Sequence, residues 1–373
     1  MKTAQLSEVA QLDYGFAFDS KLFNTEGRGL PLVRIRDVVR GWSDTYYSGD
    51  YTDRYIVNDG DYLIGMDGQF NLARWRGGKA LLNQRVCRIG ALDASLDRTY
   101  LARFMPRALK AIEDSTPFVT VKHLSAKALN AIRVPLPPLP EQRRIAAILD
   151  QADALRAKRR QVLTHLEEAL PSLFAETLAG SDHNSVPLAE AAEIWDCPHS
   201  TPKWTESGAV CLRTPNLTAG GWNWEDTRFV DEEQFGRRSK GGGAQPGDII
   251  LSREGTVGIA AIVQPGMRVC MGQRLVQVRP RTDSLLPEWA LAYLLTALHP
   301  SRIAQAMVGS TAQHLNVKDL RALPVPIPSL KVQRGFADRA AQVARGRATV
   351  ARAHTADDEL FSSLQSRAFR GEL

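Results

Sequence analysis

Apolar side chains recur along residues 134–180 at steps that alternate between three and four residues. This spacing predicts a long amphipathic helix with a coiled-coil seam. A helix of about 39 residues would be roughly 58 Å long, so we expect it to pack against a partner helix. Arg159 interrupts the seam, and Pro171 should kink or end the helix. The predicted seam positions are Ile145, Ile148, Ala152, Leu155, Val162, Leu166, Ala169 and Leu173.

Residues 325–373 repeat this stretch, including its proline-rich entry, and the matching residues lie 191 positions apart. The constant offset predicts two helices of equal length, each followed by a glycine that ends it, and indicates duplication of a domain-plus-helix unit. Gly335 and Gly346 should loosen the second helix. The matched pairs are His123 and His314, Leu124 and Leu315, Lys127 and Lys318, Leu129 and Leu320, Pro135 and Pro326, Pro137 and Pro328, Leu139 and Leu330, Gln142 and Gln333, Arg143 and Arg334, Leu173 and Leu364, and Gly180 and Gly371.

Residues 1–133 are predicted to fold as a first globular unit. Short apolar runs with interleaved polar residues indicate strands, and Gly-Asp marks a turn. The predicted elements are a strand at 32–39, a turn at Gly60-Asp61, a strand at 62–64, a glycine-rich loop at 65–71, a strand at 81–87 and a helix at 101–112.

Residues 181–324 are predicted to form a second globular unit with the same order of features. Gly247-Asp248 matches Gly60-Asp61, and Gly272-Gln273-Arg274 matches Asn83-Gln84-Arg85. In the globular parts the offset varies, so insertions separate the two copies. The helices are therefore a fixed frame, and the globular units are predicted to carry two different recognition surfaces.

The charge balance suits a polyanionic partner without requiring one. The 373 residues include 47 Lys+Arg and 41 Asp+Glu, which gives a net charge of +6, and the pI is about 9.2. At 44% hydrophobic residues the chain can build real cores, and its length predicts two or three domains. The N-terminus has no apolar signal region, and no run approaches the ~18 apolar residues that span a membrane, so we expect a soluble, cytoplasmic protein.

Motifs for catalysis and metal binding are absent from the sequence. It contains no GxxxxGK[ST] phosphate loop, no Asn-Pro-Pro-aromatic motif, no HExxH and no serine-nucleophile elbow. The run Gly241-Gly242-Gly243 is interpreted as a flexible loop, and Asp231-Glu232-Glu233 as a solvated face. The cysteines at 87, 197, 211 and 270 form no CxxC pair, which favours buried thiols in a reducing compartment over a zinc site. Catalysis is therefore expected in partner chains.

Several segments together resemble the specificity subunits of type I restriction–modification systems. In the first half they are GDYLIGMDGQFNLARW from Gly60, LLNQRVCRI from Leu81 and VPLPPLPEQRRIAAILDQAD from Val134. In the second half they are DCPHSTPKW from Asp196, GDIILSREGTVG from Gly247 and AFRGEL from Ala368. Each motif alone is weak, but the combination is specific and covers essentially the whole chain. The first unit lacks the PHSTP motif of the second.

The resemblance implies an α+β protein with two globular α/β target recognition domains, duplicated about a pseudo-two-fold axis. Two long antiparallel helices, which form a coiled coil, would separate the domains. Each domain would read one half of a split double-stranded DNA site. The chain itself would be non-catalytic and without a cofactor. It would bind two methyltransferase (modification) subunits and restriction/translocase subunits, and S-adenosylmethionine, ATP and Mg²⁺ would be used by those partners.

Candidate DNA-reading residues follow from side-chain chemistry. Arginine can bond guanine bidentately, and asparagine or glutamine can bond adenine. Other cations are expected at phosphates, which position the protein without specifying sequence. The candidates for base contacts are Gln69, Asn71, Arg74 and Arg76 in the first unit and Arg253, Thr256, Ser310, Thr311 and Gln313 in the second; those for phosphate contacts are Arg36, Lys79, Arg237, Arg238 and Lys240.

Two further groups of residues carry a structural interpretation. The segments 83–85 and 273–274 are weaker candidates, because a strand would turn half of their side chains toward the core. For His123 and His314, which precede the helices, a structural hydrogen-bonding role is favoured over catalysis. Two alternative functions stay open: a duplicated protein–protein scaffold that does not bind DNA, and a self-sufficient nuclease, which the lack of a metal–carboxylate cluster disfavours.

Overall fold

The computed structural model of the protein describes residues 2–92, 94–116, 122–239, 243–299 and 314–373. The chain divides into two compact units, Met1–Arg159 with Ala353–Leu373, and Arg160–Arg352. Each unit combines mostly antiparallel sheets with helices. The α+β class predicted from the sequence is thereby confirmed.

The regular elements alternate between short strands and helices in both units. The strands before the first long helix are β1 Thr3–Gln5, β2 Ala10–Tyr14, β3 Phe23–Asn24, β4 Leu30–Val33, β5 Tyr46–Tyr47, β6 Ile56–Val57, β7 Tyr62–Gly65, β8 Leu72–Arg74, β9 Ala80–Leu82, β10 Val86–Ala91 and β11 Arg133–Pro135. The strands after it are β12 His183–Pro187, β13 Ala192–Asp196, β14 Ala209–Leu212, β15 Leu217–Thr218, β16 Gly221–Trp222, β17 Phe229–Val230, β18 Ile249–Ser252, β19 Ala260–Ile262, β20 Val269–Met271, β21 Leu275–Pro280 and β22 Pro324–Pro328. The helices are α1 Leu6–Val9, α2 Ile35–Arg40, α3 Arg98–Ser115, α4 Ala126–Asn130, α5 Leu139–Ala179, α6 Leu188–Ala191, α7 Glu232–Arg238, α8 Pro287–Ala297, α9 Val317–Ala322 and α10 Leu330–Arg370.

The main sheet has the same strand order in both units. It is β2-β10-β7-β8 in the first unit and β13-β21-β18-β19 in the second, and all its pairs are antiparallel. A second sheet follows in each unit, β3-β5-β4-β9-β6 and β17-β14-β20, and each contains one parallel pair. The duplication inferred from the sequence therefore extends from the helices to the sheets.

The Gly-Asp turns that introduce β7 and β18 serve the fold. Gly60 and Gly247 take φ angles of 88° and 92°, which glycine adopts without steric cost. The carboxylate of Asp248 is buried and accepts hydrogen bonds of 2.7 Å from Arg279 Nε and Gln277 Nε2. This motif therefore fixes the start of a central strand and does not contribute a free carboxylate.

Two strands predicted in the first unit differ from the observed elements. Residues 32–39 divide into β4 and helix α2, because the Asp37 carboxylate accepts the Arg34 amide at 3.0 Å and Gly41 ends the helix with a φ of 76°. Residues 81–87 divide into β9 and β10, which are separated by a turn in which Arg85 has a φ of 67°. The predicted strand at 62–64 and helix at 101–112 are confirmed as β7 and the longer α3.

The long helices α5 and α10 each have 41 residues, so the predicted equal length is confirmed. Each is about 60 Å long at about 1.5 Å per residue. Gly180 and Gly371 follow them directly, and Gly371 has a φ of 79°. Pro171 was expected to kink or end α5, and the second of these outcomes is wrong, because the helix continues to Ala179. A proline removes one intrahelical hydrogen bond, and its ring crowds the carbonyl four residues earlier, at a cost of about 3 kcal/mol. The rest of a 41-residue helix offsets this cost.

In the first unit α5 and α10 pack antiparallel through ion pairs. Arg156 Nε donates to Asp358 Oδ1 at 2.6 Å, and Arg159 donates to Asp357. Nearer the start of α5, Arg144 Nη2 donates to the Leu373 carbonyl at 2.7 Å. Residue numbers thus fall along α10 as they rise along α5, which is the antiparallel arrangement.

The same direction holds in the second unit, where the contact is aromatic. Phe174 of α5 lies 5.8 Å from Phe336 of α10 between ring centroids, and both pack on Trp289. Arg339 Nη2 donates to Thr177 Oγ1 at 2.9 Å. The helices therefore pair through different chemistry in the two units.

The predicted seam is wrong at two positions. Leu155 and Val162 are 42% and 44% exposed. Arg156 and Arg159 occupy the facing positions instead, because their guanidinium groups reach the aspartates of α10, and Leu149 is fully buried. The apolar residues were assigned to the seam because apolar character was the only signal in the pattern.

Candidate nucleic-acid interface

The glycine-rich loop between β7 and β8 presents polar side chains on a buried anchor. Phe70 is buried, and its amide donates to Glu113 Oε2 at 3.1 Å. Gln69 is exposed, and Asn71 is half-buried with its side-chain amide donating to the Gln69 carbonyl at 3.2 Å. The Gln69 side chain can therefore reach a ligand, whereas the amide group of Asn71 braces the loop.

Arg74, Arg76 and Lys79 are exposed next to one buried tryptophan. Trp75 is fully buried, and its Nε1 donates to the Gly78 carbonyl at 2.7 Å. Since neighbouring residues of an extended segment point to opposite sides, burial of Trp75 turns the two flanking arginines outward. The first unit thus exposes three cations within the six residues 74–79.

Arg36 contributes to a second basic surface of the first unit. Its side chain is about half exposed, and Nη2 lies 3.4 Å from Asp44 Oδ1 and 3.3 Å from Thr45 Oγ1. Together with Arg28 and Arg34 it lines an open cavity of about 420 Å³. Glu26 pairs with Arg28 at 2.7 Å, and Asp44 pairs with Arg36, so carboxylates cancel part of the positive charge there.

In the second unit Arg253 lies beneath the loop that follows β18. It is 6% exposed; its Nε lies 3.2 Å from Asp196 Oδ1, and Nη1 lies 3.5 Å from His314 Nε2. In this conformation the guanidinium contacts side chains from separate segments of the unit. Because these contacts occupy it, the structure argues against the base contact expected from the sequence. Thr256 in the same loop is exposed, with Oγ1 3.4 Å from Ser252 Oγ.

Helix α7 presents one arginine and buries another. Arg237 is exposed and bonds Glu233 one turn earlier. Arg238 is 5% exposed and donates to the carbonyls of Met271 at 3.2 Å and Ser200 at 2.6 Å. The burial of Arg238 argues against the predicted phosphate contact, because its Nη groups already donate to backbone carbonyls. The predicted sites at Lys240, Ser310, Thr311 and Gln313 lie outside the described residues.

The sequence interpretation did not single out a carboxylate–arginine–histidine cluster that occurs once in each unit. In the first unit, Arg85 Nη1 lies 2.9 Å from His123 Nε2, Arg85 Nε lies 3.7 Å from Asp67 Oδ2, and His123 bonds Asp67. His123 thus makes side-chain contacts of the structural kind predicted from the sequence.

In the second unit, Glu254 lies between Arg274 and His314. Arg274 Nε is 3.4 Å from Glu254 Oε2, and His314 Nδ1 is 3.2 Å from Glu254 Oε1. The histidine and the acidic residue also form an isolated backbone bridge in both units, Asp67 with His123 and Glu254 with His314. The two clusters therefore stand on equivalent backbone.

The arginines of these clusters adopt an unusual conformation. Arg85 and Arg274 have φ angles of 67° and 66°, and within the described ranges no other non-glycine residue has a positive φ. The left-handed region costs an arginine about 1 kcal/mol relative to its usual conformations. The repeated triplets Asn83-Gln84-Arg85 and Gly272-Gln273-Arg274 were the available signal, but they were interpreted as strands.

The sequence analysis also did not identify two exposed tryptophan rings that each lie against an arginine. Trp42 is 50% exposed, and the Arg40 guanidinium lies 3.9 Å from its ring centroid. Trp204 lies 5.4 Å from Arg228 in the second unit. Such pairs offer both a cation and an aromatic face to a ligand.

Among the described residues, no group of three or more His, Cys, Asp or Glu side chains is placed to hold a metal ion. None of the described helices combines the length and the apolar character needed to cross a membrane. All four cysteines are buried, and burial raises the pKa of the Cys87 thiol to about 12. A neutral, buried thiol is a poor nucleophile.

The chain matches the family model described as the type I restriction modification DNA specificity domain over residues 1–167 and 243–348. It is 29% identical over 407 aligned positions to the type I restriction enzyme EcoBI specificity subunit of Escherichia coli, covering 99% of this chain and 85% of that relative. It is 22% identical to the type I restriction enzyme MjaVIII specificity subunit of Methanocaldococcus jannaschii, covering 76% and 72%.

Solved structures share the fold. The S subunit of a type I restriction–modification system from M. genitalium superposes with a TM-score of 0.57 at 14% identity, covering 99% of this chain and 96% of that one. A chain from a study of complex assembly and conformational transition of the type I R-M system superposes with a TM-score of 0.60 at 20% identity, covering 100% and 98%.

Proposed function

Because the chain belongs to the type I restriction modification DNA specificity domain family, we propose that it is the DNA-recognition subunit of such a system. The observation that carries this proposal is that the family model matches both halves of a duplicated chain, at residues 1–167 and 243–348. A duplicated reader suits a DNA site with two half-sites, one for each copy. The chain binds DNA and positions its partner subunits there, and it carries out no catalysis of its own.

The proposed recognition domains are residues 1–133 and 181–324, and residues 134–180 and 325–373 form the spacer helices. The main sheet and the paired helices repeat, whereas the loops after β7 and β18 differ in sequence and in packing. Differences in these loops are what two unlike half-sites would require. Gln69, Arg74, Arg76 and Thr256 are the exposed candidates for base contacts.

Phosphate contacts are proposed for exposed cations outside those base-reading positions. Arg36, Lys79 and Arg237 keep their charged groups at the surface. Asn71, Arg253 and Arg238 instead hold loops in place through the hydrogen bonds and ion pairs that their side chains make. A buried arginine can affect recognition by positioning a loop even when it touches no DNA.

Assembly with two methyltransferase subunits and with restriction/translocase subunits completes the proposal. The family match supports it, and a chain of the same fold comes from a study of complex assembly of the type I R-M system. S-adenosylmethionine, ATP and Mg²⁺ belong to those partners, and the complex acts in the cytoplasm.

A salt titration of DNA binding tests the proposal. The full chain, in complex with its methyltransferase subunits, is titrated with a pool of random 40-base-pair duplexes at several salt concentrations. The logarithm of the association constant should fall linearly with that of the salt concentration, by about 0.9 for each phosphate neutralised. Replacing the proposed phosphate contacts Arg36, Lys79 and Arg237 by Gln should reduce this slope by up to about 2.7.

The matched control replaces three exposed cations of helix α10, namely Lys331, Arg334 and Arg345, by Gln. It removes the same charge but should leave the slope unchanged. Equal slopes for the wild type and both triple variants would favour a scaffold that does not touch DNA.

A further inference from the structure

The two arginines with left-handed backbone occupy the same turn in each unit. Arg85 lies between β9 and β10, and Arg274 lies between β20 and β21. Each carbonyl accepts a hydrogen bond from the loop that follows the central strand: Met66 N donates to Arg85 O at 2.9 Å, and Arg253 N donates to Arg274 O at 3.0 Å. The neighbouring loop thus fixes the backbone of both turns.

Nothing in this backbone arrangement requires an arginine. The hydrogen bonds to the two turns use only main-chain atoms, so any residue could accept them. Glycine adopts φ angles near 67° without the steric cost that arginine meets. Both copies of the unit have an arginine in a backbone position that favours glycine. This indicates that the arginine side chain has a function there.

Both arginine side chains are exposed to solvent, and some of their guanidinium N–H donors bond no described residue. The Arg85 side chain is 51% exposed, and that of Arg274 is 63% exposed. Among the residues that the structure describes, no acceptor lies within bonding distance of Arg85 Nη2 or of either Arg274 Nη atom. Asp67 and Glu254 lie on the Nε side of each guanidinium, and His123 contacts Arg85 Nη1. Nη2 of Arg85 and both Nη atoms of Arg274 therefore keep donors that no described residue uses.

The surroundings differ between the units, while the pairing of the left-handed arginine with a loop carboxylate recurs in both. Arg85 also bonds His123, whereas in the second unit Arg253 is the arginine beside His314. The loop on which it stands reads GMDGQFN in the first unit and SREGTVG in the second. A contact that is alike in two domains reading unlike half-sites cannot itself distinguish bases. The acceptor common to every half-site is the phosphate, and arginine binds phosphate through paired N–H donors.

We propose that Arg85 and Arg274 are a matched pair of phosphate-binding residues, one in each recognition domain, held in place by Asp67 with His123 and by Glu254 with His314. The inference rests on the proposed DNA-recognition function and adds its sequence-independent contacts. The adjacent carboxylate cancels much of the arginine charge, so each contact depends on directed donors rather than on a broad basic surface.

Glycine substitution separates this role from a structural one. The complex of the full chain with its methyltransferase subunits is prepared with Arg85→Gly, Arg274→Gly or both, and with Arg85→Asn as a second variant that tolerates the left-handed region. Because the backbone favours glycine, the melting temperature should be unchanged or higher. Affinity for the random duplex pool should fall about tenfold for each substitution, and the salt slope should fall by at most about 0.9, because the adjacent carboxylate cancels part of the charge.

The control is Arg370→Ala, which removes an arginine of equal exposure, 51%, that pairs with Glu372 at 2.7 Å. It should change neither affinity nor slope. Unchanged DNA affinity in the glycine variants would overturn the proposal, and so would a loss confined to cognate duplexes, since that would assign the arginines to bases. A wild-type complex that binds no duplex would refute the proposed function itself, which the wild-type titration reveals before any variant is compared.

Discussion

The loop after the central strand rests on an apolar side chain in the first unit and on an arginine in the second. Met66 and Arg253 occupy the same place, since each donates its amide to the left-handed arginine and accepts from the leucine after the histidine. Both are 6% exposed. Met66 packs in the apolar core, whereas Arg253 meets Asp196, Glu254 and His314.

The hydrogen bonds that anchor the start of each long helix are the same in the two units. Gln142 and Gln333, both buried, begin the long helices and make matching hydrogen bonds of 2.8–2.9 Å to three backbone groups. Tyr100 and Trp289 differ in type, yet each donates to the carbonyl of the corresponding proline, Pro135 and Pro326. The comparison shows that backbone and frame stay the same while the side chains that support the loops change.

The largest effect is expected from breaking the frame. Gln333→Leu leaves the Leu286 amide and the carbonyls of Ser284 and Pro328 without their partner, and should lower the free energy of unfolding by about 3 kcal/mol. Gln142→Leu should cost the same in the first unit. Urea denaturation of the full chain measures both.

Gln151→Leu is the matched control, because Gln151 is exposed on the same helix as Gln142. It should change the free energy of unfolding by less than about 0.5 kcal/mol. A cost found at only one of the two buried glutamines would mean that the two frames are not equivalent.

A smaller effect should separate the two loop supports. Arg253→Ala removes the cation between Asp196 and Glu254 and should lower the free energy of unfolding by about 2 kcal/mol, less than for a fully buried pair because both carboxylates keep contact with water. Specific and random duplexes should be bound more weakly by a similar factor. The measurements are thermal unfolding and DNA titration of the same preparation.

The corresponding change in the first unit is Met66→Leu, which conserves volume and should cost less than about 1.5 kcal/mol. If Arg253→Ala leaves stability unchanged and relaxes one position of the recognised site, the arginine reads a base after all. That is the outcome the sequence alone predicted.

The two long helices could be predicted from the sequence because their apolar pattern is periodic and occurs twice. The constant offset between Gln142 and Gln333 predicted two helices of one length, and both have 41 residues. The residues in the middle of the seam could not be predicted, because Arg156 and Arg159 face the partner helix only by pairing with aspartates about 200 residues away. Long-range partners of that kind leave no local pattern.

The candidate site shows the same limit. Arg74 and Arg76 were predicted as accessible candidates from their place beside a glycine-rich loop, and both are exposed on either side of the buried Trp75. Arg253 and Arg238 could not be recognised as buried, because their partners come from distant segments. The left-handed turns at Arg85 and Arg274 were missed because arginine is not a residue that marks such turns.

The smallest expected effect concerns the DNA between the half-sites. Inserting four residues after Arg160, with four more after Ala351, lengthens both helices by about 6 Å, or roughly one turn. At about 3.4 Å per base pair, the preferred spacer should lengthen by one or two base pairs. Both half-site sequences should stay as they are, because the recognition domains are untouched.

Binding to a set of duplexes that differ only in spacer length measures this shift. The variant with the insertion in α5 alone is the control, since unequal helices should weaken binding without a clean change of optimum. An unchanged optimum in a folded, DNA-binding double variant would mean that the helices do not set the spacer.

Replacement of one recognition domain tests the central claim most directly. Residues 1–133 are exchanged for the corresponding unit of a relative with a different half-site, and the methylated positions in DNA from cells carrying the whole system are mapped before and after. One half-site should change to that of the relative, while the other half-site and the spacer remain the same. A change in both half-sites, or in neither, would contradict the assignment of one half-site to each unit.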